Sequence, residues 1–207
     1  MGRNIGPKNK IARRFGINLG LKTNPVKVAK RLSQPPGVHG PKKRGGPSSG
    51  FGKQLAEKQK AKFIFGLREA QFSKYVKEAA RMTGDSSVNL QQLLERRLDN
   101  VVYKLGFAIT RAQARQMVGH KLFLVNGKSM NVPSYMVKIG DIVELKASKQ
   151  KSRAFEGLEE RMAKMELPSW LALDLAKKSG KVLGTPADTD FEKSFDTKLI
   201  IEYYSTR

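Results

Sequence analysis

Thr110-Arg111-Ala112-Gln113-Ala114-Arg115-Gln116-Met117-Val118-Gly119, followed by Leu122-Phe123-Leu124-Val125-Asn126-Gly127-Lys128-Ser129-Met130-Asn131-Val132, decides the reading of this 207-residue chain. Thr110 and Gln113 have capping-box spacing, so a helix starts at Thr110, and Gly119 closes it after about two turns. Ala114, Met117 and Val118 can pack inward, while Arg111 and Arg115 lie four apart and share a face. Two guanidinium forks beside a positively polarised helix start suit phosphate oxygens. The Asn126-Gly127 pair predicts a tight hairpin with both central residues at positive φ. Beyond Pro133, Lys138-Ile139-Gly140-Asp141 leads into Ile142-Val143-Glu144-Leu145, which alternates as a further strand.

Upstream the period changes to that of helices. Leu90, Leu93, Leu94, Leu98, Val101, Val102 and Leu105 form one stripe, predicting a single helix that Gly106 ends. Asp85, Ser86 and Ser87 offer caps for it, after a left-handed stop at Gly84. Gln91, Gln92, Glu95, Arg96, Asn100 and Lys104 fall off the stripe and are expected to face water. An earlier helix over 68–80 places Phe72, Tyr75, Val76, Ala79 and Ala80 on a core face. Two helices and a small twisted sheet thus span roughly Leu94 to Ser148.

Charge divides the chain. With 40 Lys+Arg against 18 Asp+Glu, the net charge is +22, which calls for a polyanionic partner, nucleic acid before an anionic membrane. Residues 1–56 hold 13 basic residues and no acid, 57–153 hold 19 against 8, and 154–207 hold 8 against 10. The basicity therefore belongs to the N-terminal and central parts. Within the first block, residues 35–50 are too rich in Gly and Pro for a helix or central strand, and read as an extended basic arm. A solvated linker is the alternative, which the strict lack of acid disfavours.

Other chemistry is constrained by what the sequence lacks. There is no cysteine, and the two histidines, His39 and His120, are far apart, so neither disulfides nor a zinc site is expected, nor any other cofactor. The first residues carry no hydrophobic signal and no long apolar run follows, so a cytosolic protein without a membrane partner is expected. An organellar transit peptide is the alternative, opposed by Gly2, Gly6 and Pro7. No Walker loop, nucleophile elbow or acid–base pair is present, so no catalytic residue is assigned. Downstream, the chain reads as a helix around Phe155 to Met165, with Trp170 and Tyr203 as core anchors and a late strand over Lys198 to Tyr203.

Arg97-Leu98-Asp99, the Thr110–Arg115 run, Val125-Asn126-Gly127-Lys128 and Pro133-Ser134-Tyr135 through Gly140-Asp141 together resemble the S4 RNA-binding module. Arg97-Leu98-Asp99 also matches the motif in which pseudouridine synthases hold a catalytic aspartate. Within a continuous helical pattern, a surface ion pair is the expected role of Asp99. The flanks, including 35–41, Glu57-Lys58-Gln59-Lys60, Pro168-Ser169-Trp170-Leu171 and Leu199 to Ser205, resemble the uS4 family of bacterial-type small-subunit ribosomal proteins across essentially the whole chain. Asn9 and Ala12 stand where some members carry the first two cysteines of a zinc cluster, which marks a zinc-free form.

The resemblance implies an α+β fold in which a mainly helical domain made by both chain ends carries the module as an insert. The expected divisions are an arm over 1–50, helices over 51–93, the module over 94–153, and a segment over 154–207 packing back on the helices. It implies a primary 16S rRNA binder that nucleates small-subunit assembly in the cytoplasm. It further implies contact with the fifth small-subunit protein, a position near the mRNA entrance, a part in decoding accuracy, and in some bacteria repression of its own mRNA. RNA helices bury their base edges, so backbone shape should be read. The expected phosphate contacts are Arg111, Arg115, Lys121, Asn126 and Lys128 in the module, with Arg13, Arg14, Lys42, Lys43, Arg44 and Lys53 from the arm.

Overall fold

A computed structural model describes residues 6–22, 24–34, 36–37, 49–150, 152, 155–163 and 165–206. Most of the 35–50 arm lies outside them, with His39, Lys42, Lys43 and Arg44. The chain is α+β and forms two compact units, Met1–Leu90 with Glu192–Arg207, and Gln91–Phe191. No described helix is long and apolar enough to cross a membrane.

The first unit is helical. Its start, read from sequence as part of an arm, contains α1 (Lys8–Phe15) and α2 (Pro25–Leu32). Gly16, at φ 66°, ends α1 in the left-handed region, and Asn24 caps α2 by accepting from the Lys27 amide at 3.0 Å. Ala12, Leu19 and Val28 are buried, so even this acid-free stretch has an apolar side. Then come α3 (Gly50–Ile64) and α4 (Glu69–Arg81). On α4 Phe72, Tyr75, Val76 and Ala79 are buried as the spacing predicts, whereas Ala80 is exposed.

The end of the chain corrects the predicted strand over Lys198 to Tyr203. Those residues lie in a helix, α9 (Thr197–Ser205), started by Asp196, which accepts from the Lys198 amide at 2.8 Å. Thr197, Ile200 and Tyr203 are buried at helical spacing, and α9 packs on α3 and α4. Its β-branched and aromatic content suggested a strand, but tertiary packing overrides that weak preference. At the packing centre Lys58 is buried, and its Nζ donates to Glu69 at 2.7 Å and lies 4.4 Å from the centroid of the Tyr203 ring. Lys62 at 3.0 Å and the Tyr204 hydroxyl at 2.8 Å also donate to Glu69.

The second unit begins within α5, and the predicted single helix over 90–105 breaks in two. Helix α5 (Ser86–Glu95), preceded by Gly84 at φ 98° and by Asp85, which accepts from the Ser87 amide at 2.7 Å, runs into it. Helix α6 (Leu98–Lys104) and α7 (Arg111–Gly119) follow, then β1 (Phe123–Val125), β2 (Lys128–Met130) and β3 (Ile142–Leu145). Helix α8 (Leu158–Ala163) is shorter than the predicted 155–165. Two unpredicted strands, β4 (Leu171–Asp174) and β5 (Ser179–Val182), complete an antiparallel sheet in the order β2-β1-β3-β5-β4. The expected segment 154–207 thus divides: residues up to Phe191 share the sheet's unit, and α9 lies in the other. The ladder explains this, because β5 is hydrogen-bonded directly to β3.

Leu98, Val101, Val102 and Leu105 of α6 meet Ala114, Met117 and Val118 of α7 and the inward residues Phe123, Val125, Val143 and Leu145 of the sheet. Phe107 and Phe155 stand edge-on to Phe123, with ring centroids 5.2 and 6.5 Å away. Trp170 is buried in the same core, and Tyr203 in the first unit. Gly180 lets α6 close on the sheet, since a Cβ there would overlap the Leu105 methyls. Gly180→Ala is expected to lower stability by about 1–3 kcal/mol through overpacking, read as a reduced urea midpoint at unchanged slope.

In the first unit, burial pushes the Glu69 carboxyl upward, but the hydrogen bonds from Lys58, Tyr204 and Lys62 outweigh it and lower its pKa to about 2. A carboxylate depressed on folding stabilises above its ordinary pKa of about 4.5, and that stabilisation fades as pH falls towards about 2. Glu69 is partly exposed and screened by solvent, so the contribution is about 1 kcal/mol. Glu69→Gln should flatten the stability change between those pH values in urea titrations at stepped pH.

Candidate nucleic-acid interface

The break between α5 and α6 sets the geometry. Arg97, extended between the two helices, holds residues 96–99 against 133–137: it bridges Met136, the Val137 amide donates to Arg96 at 2.9 Å, and the Leu98 and Asp99 amides donate to Tyr135 and Pro133 at 2.8 and 3.1 Å. Two amides at the start of α6 are thereby satisfied by a neighbouring segment rather than by a side-chain cap. Arg97 itself is fully buried, at 0% exposure, and grips Asp99 through Nε at 3.1 Å and Nη2 at 2.8 Å. Asp99 also accepts from Arg115 Nη1 at 3.1 Å and from the Asn100 amide at 3.1 Å.

A parallel arrangement runs beside it. Glu95, at 0% exposure, accepts the Asn100 Nδ2 on both its carboxylate, at 2.6 Å, and its main-chain carbonyl, at 2.9 Å. Asn100 Oδ1 accepts from Arg111 Nε at 2.8 Å, and the Arg111 guanidinium lies 4.7 Å from the Tyr103 ring centroid. These contacts correct two sequence expectations. Asp99 forms ion pairs, but inside the protein, and Glu95 and Asn100, expected to face water, are buried. Polar residues can leave the wet face when neighbouring groups pair with them, as Asn100 does with Glu95 and Arg111, which periodicity does not count.

Among the anticipated phosphate contacts, Arg111 and Arg115 are brought together on one face of α7, half-buried and engaged with α6. Thr110 caps α7 by accepting from the Gln113 amide at 3.2 Å, while the Gln113 side chain accepts from the Ile109 amide at 2.9 Å. Lys121 is exposed and holds φ 57°, so the left-handed turn after α7 falls on it rather than on Gly119. Asn126 and Gly127, at φ 50° and 75°, form the predicted hairpin turn. Both ends of the Asn126 side chain are occupied: Nδ2 donates to Asp141 at 2.8 Å and Oδ1 accepts from the Ile142 amide at 2.9 Å.

Asp141 is the buried hub of that turn, accepting also from the Lys138 amide at 2.8 Å and from the Tyr135 hydroxyl at 3.4 Å. Burial, then the Asp141 charge and hydrogen bond, push the Tyr135 phenol upward. Lys128 is exposed on β2, at the sheet edge. In the first unit Arg14 and Lys53 are exposed, and Arg13 Nε donates to the Gln34 carbonyl at 2.6 Å. The remaining arm residues, Lys42, Lys43 and Arg44, lie outside the described structure. What the sequence reading missed is the layer beneath the arginines: Glu95, Arg97, Asp99 and Asn100. Its signal was present as five polar residues within the six positions 95–100 of an otherwise leucine-rich stretch.

Comparison with known proteins agrees with this geometry. Residues 3–95 match the model of the ribosomal protein S4/S9 N-terminal domain, and residues 96–143 match that of the S4 domain, so the division falls at the break after α5. The chain is 45% identical over 207 residues to the small ribosomal subunit protein uS4 of Hahella chejuensis. It is 43% identical over 207 residues to that of Chloroflexus aurantiacus, and 46% identical over 208 to that of Persephonella marina. Each alignment covers 99% of this chain and 100% of the relative.

The buried pair makes Asp99 sensitive to loss of charge. Asp99→Asn leaves Arg97 charged, buried and uncompensated, and is expected to cost about 3–5 kcal/mol in a urea unfolding experiment. A loss under about 1 kcal/mol, the range of an exposed pair, would contradict the buried reading.

Proposed function

The chain belongs to the uS4 family of small-subunit ribosomal proteins, and from that premise we propose that it is a primary 16S rRNA binder that nucleates assembly of the small subunit. It is an RNA-binding structural constituent of that subunit, acting in translation. The observation that carries the reading of its interface is the pair Arg111 and Arg115, held together on α7 beside the exposed Lys121 and near a hairpin bearing Lys128. Lys and Arg on a rigid helix–hairpin support follow the backbone of folded RNA, and the net charge of +22 supplies long-range attraction.

Arg111, Arg115, Lys121, Asn126 and Lys128 contact phosphate in this reading, and Asn126 also shapes the hairpin that presents Lys128. Arg13, Arg14, Lys42, Lys43, Arg44 and Lys53 add contacts from the N-terminal part. Neighbouring small-subunit proteins, the fifth among them, and mRNA near the entry channel are the further partners, with a contribution to decoding accuracy and repression of its own mRNA. No reaction belongs to this reading. The Asp99 carboxylate accepts from two arginines and an amide, an environment for holding charge rather than for attacking a base.

Crosslinking with sequencing of the bound RNA should return a cluster in small-subunit rRNA, and contacts scattered over the transcriptome would exclude the ribosomal role. Arg111→Ala with Arg115→Ala should weaken binding of a folded small-subunit rRNA fragment. The slope of log K against log salt should fall by about one per lost phosphate contact. An unchanged slope would remove both arginines from the interface.

A further inference from the structure

We propose that Asn100 is a positioning residue for RNA recognition, holding the Arg111 guanidinium in its RNA-facing orientation before RNA arrives. The inference rests on the reading of Arg111 as a phosphate contact. Asn100 is buried, at 1% exposure, and its amide can point only one way. Its Nδ2 faces the Glu95 carboxylate at 2.6 Å and the Glu95 carbonyl at 2.9 Å, both of which only accept. Its Oδ1 must therefore face Arg111 Nε, which only donates, at 2.8 Å. Flipping the amide would set donor against donor on one side and acceptor against acceptors on the other.

Glu95 is fixed in turn by burial, with Lys104 Nζ 3.8 Å from its carboxylate. The Tyr103 ring lies against Arg111 and limits its remaining rotation. A long arginine side chain ordinarily loses rotamer freedom when it grips a phosphate. Here the restriction is imposed when the protein folds, so less of that entropy is lost on binding.

A double-mutant cycle on RNA affinity tests this, using the full chain, a folded small-subunit rRNA fragment, and the variants Asn100→Ala, Arg111→Ala and both together. Asn100→Ala alone should weaken binding roughly 2–10-fold, the range for ordering one long side chain, with the salt slope kept. Arg111→Ala should lower the slope by about one. In the Arg111→Ala background, Asn100→Ala should cause no further loss.

An equal loss in both backgrounds would mark Asn100 as merely structural and overturn the proposal, as would full affinity in Asn100→Ala. If Arg111→Ala changes neither affinity nor slope, Arg111 is no phosphate contact, and the interface reading falls together with this one. Should circular dichroism show Asn100→Ala unfolded, Asn100→Ser, whose hydroxyl is too short to reach Arg111, takes its place in the same cycle with the same expected and overturning results.

Discussion

One carboxylate, Asp99, is shared between a fully buried arginine and a half-buried one. Burying such a group is costly unless each oxygen finds donors, and here Arg97, Arg115 and the Asn100 amide supply them. The arrangement fixes where α5 stops and α6 starts, because Arg97 reaches Asp99 from extended backbone and not from a helix turn. From that corner α6 directs its leucines and valines at the sheet, and α7 is tied back through Arg115. A buried ion pair of this kind adds little net stability over a well-packed apolar core.

The two units use buried cations differently. In the first, Lys58 lies among the Tyr203 ring, the Tyr203 hydroxyl and Glu69, so an amphipathic side chain joins α3 to α4 and α9. In the second, the cations are arginines, whose planar forks can hold two oxygens at once and still lie against a ring, as Arg111 does on Tyr103. Arg97, Arg111 and Arg115 of this unit are thus anchored by geometry and charge together. The acid-free N-terminal stretch supplies charge over two short, capped helices with few buried residues.

Where local chemistry dictates local structure, the residues could be read directly. The Asn126-Gly127 turn, the Thr110 cap, the glycine stops at 84 and 106 and the apolar face of α4 all follow from interactions within a few residues. Three features depend on distant partners and were not visible. The break at Arg96-Arg97 requires the 133–137 segment, β4 and β5 require β3, and α9 requires α3 and α4. The candidate interface divides likewise. Arg111 and Arg115 were legible as a pair because they lie four apart, but their attachment to Asn100 and Asp99 was not, since off-stripe polar residues normally meet solvent.

The placement of α9 has a consequence for the order in which the chain acquires structure during synthesis. Helices α3 and α4 are made early, yet the helix that packs on them arrives after every strand and helix of the second unit. At ~5–20 residues per second, the intervening stretch of more than a hundred residues takes roughly ten seconds to emerge. The RNA-facing module can therefore assemble from contiguous chain while the faces of α3 and α4 that receive α9 are still uncovered. The first unit, although translated first, is the last to close.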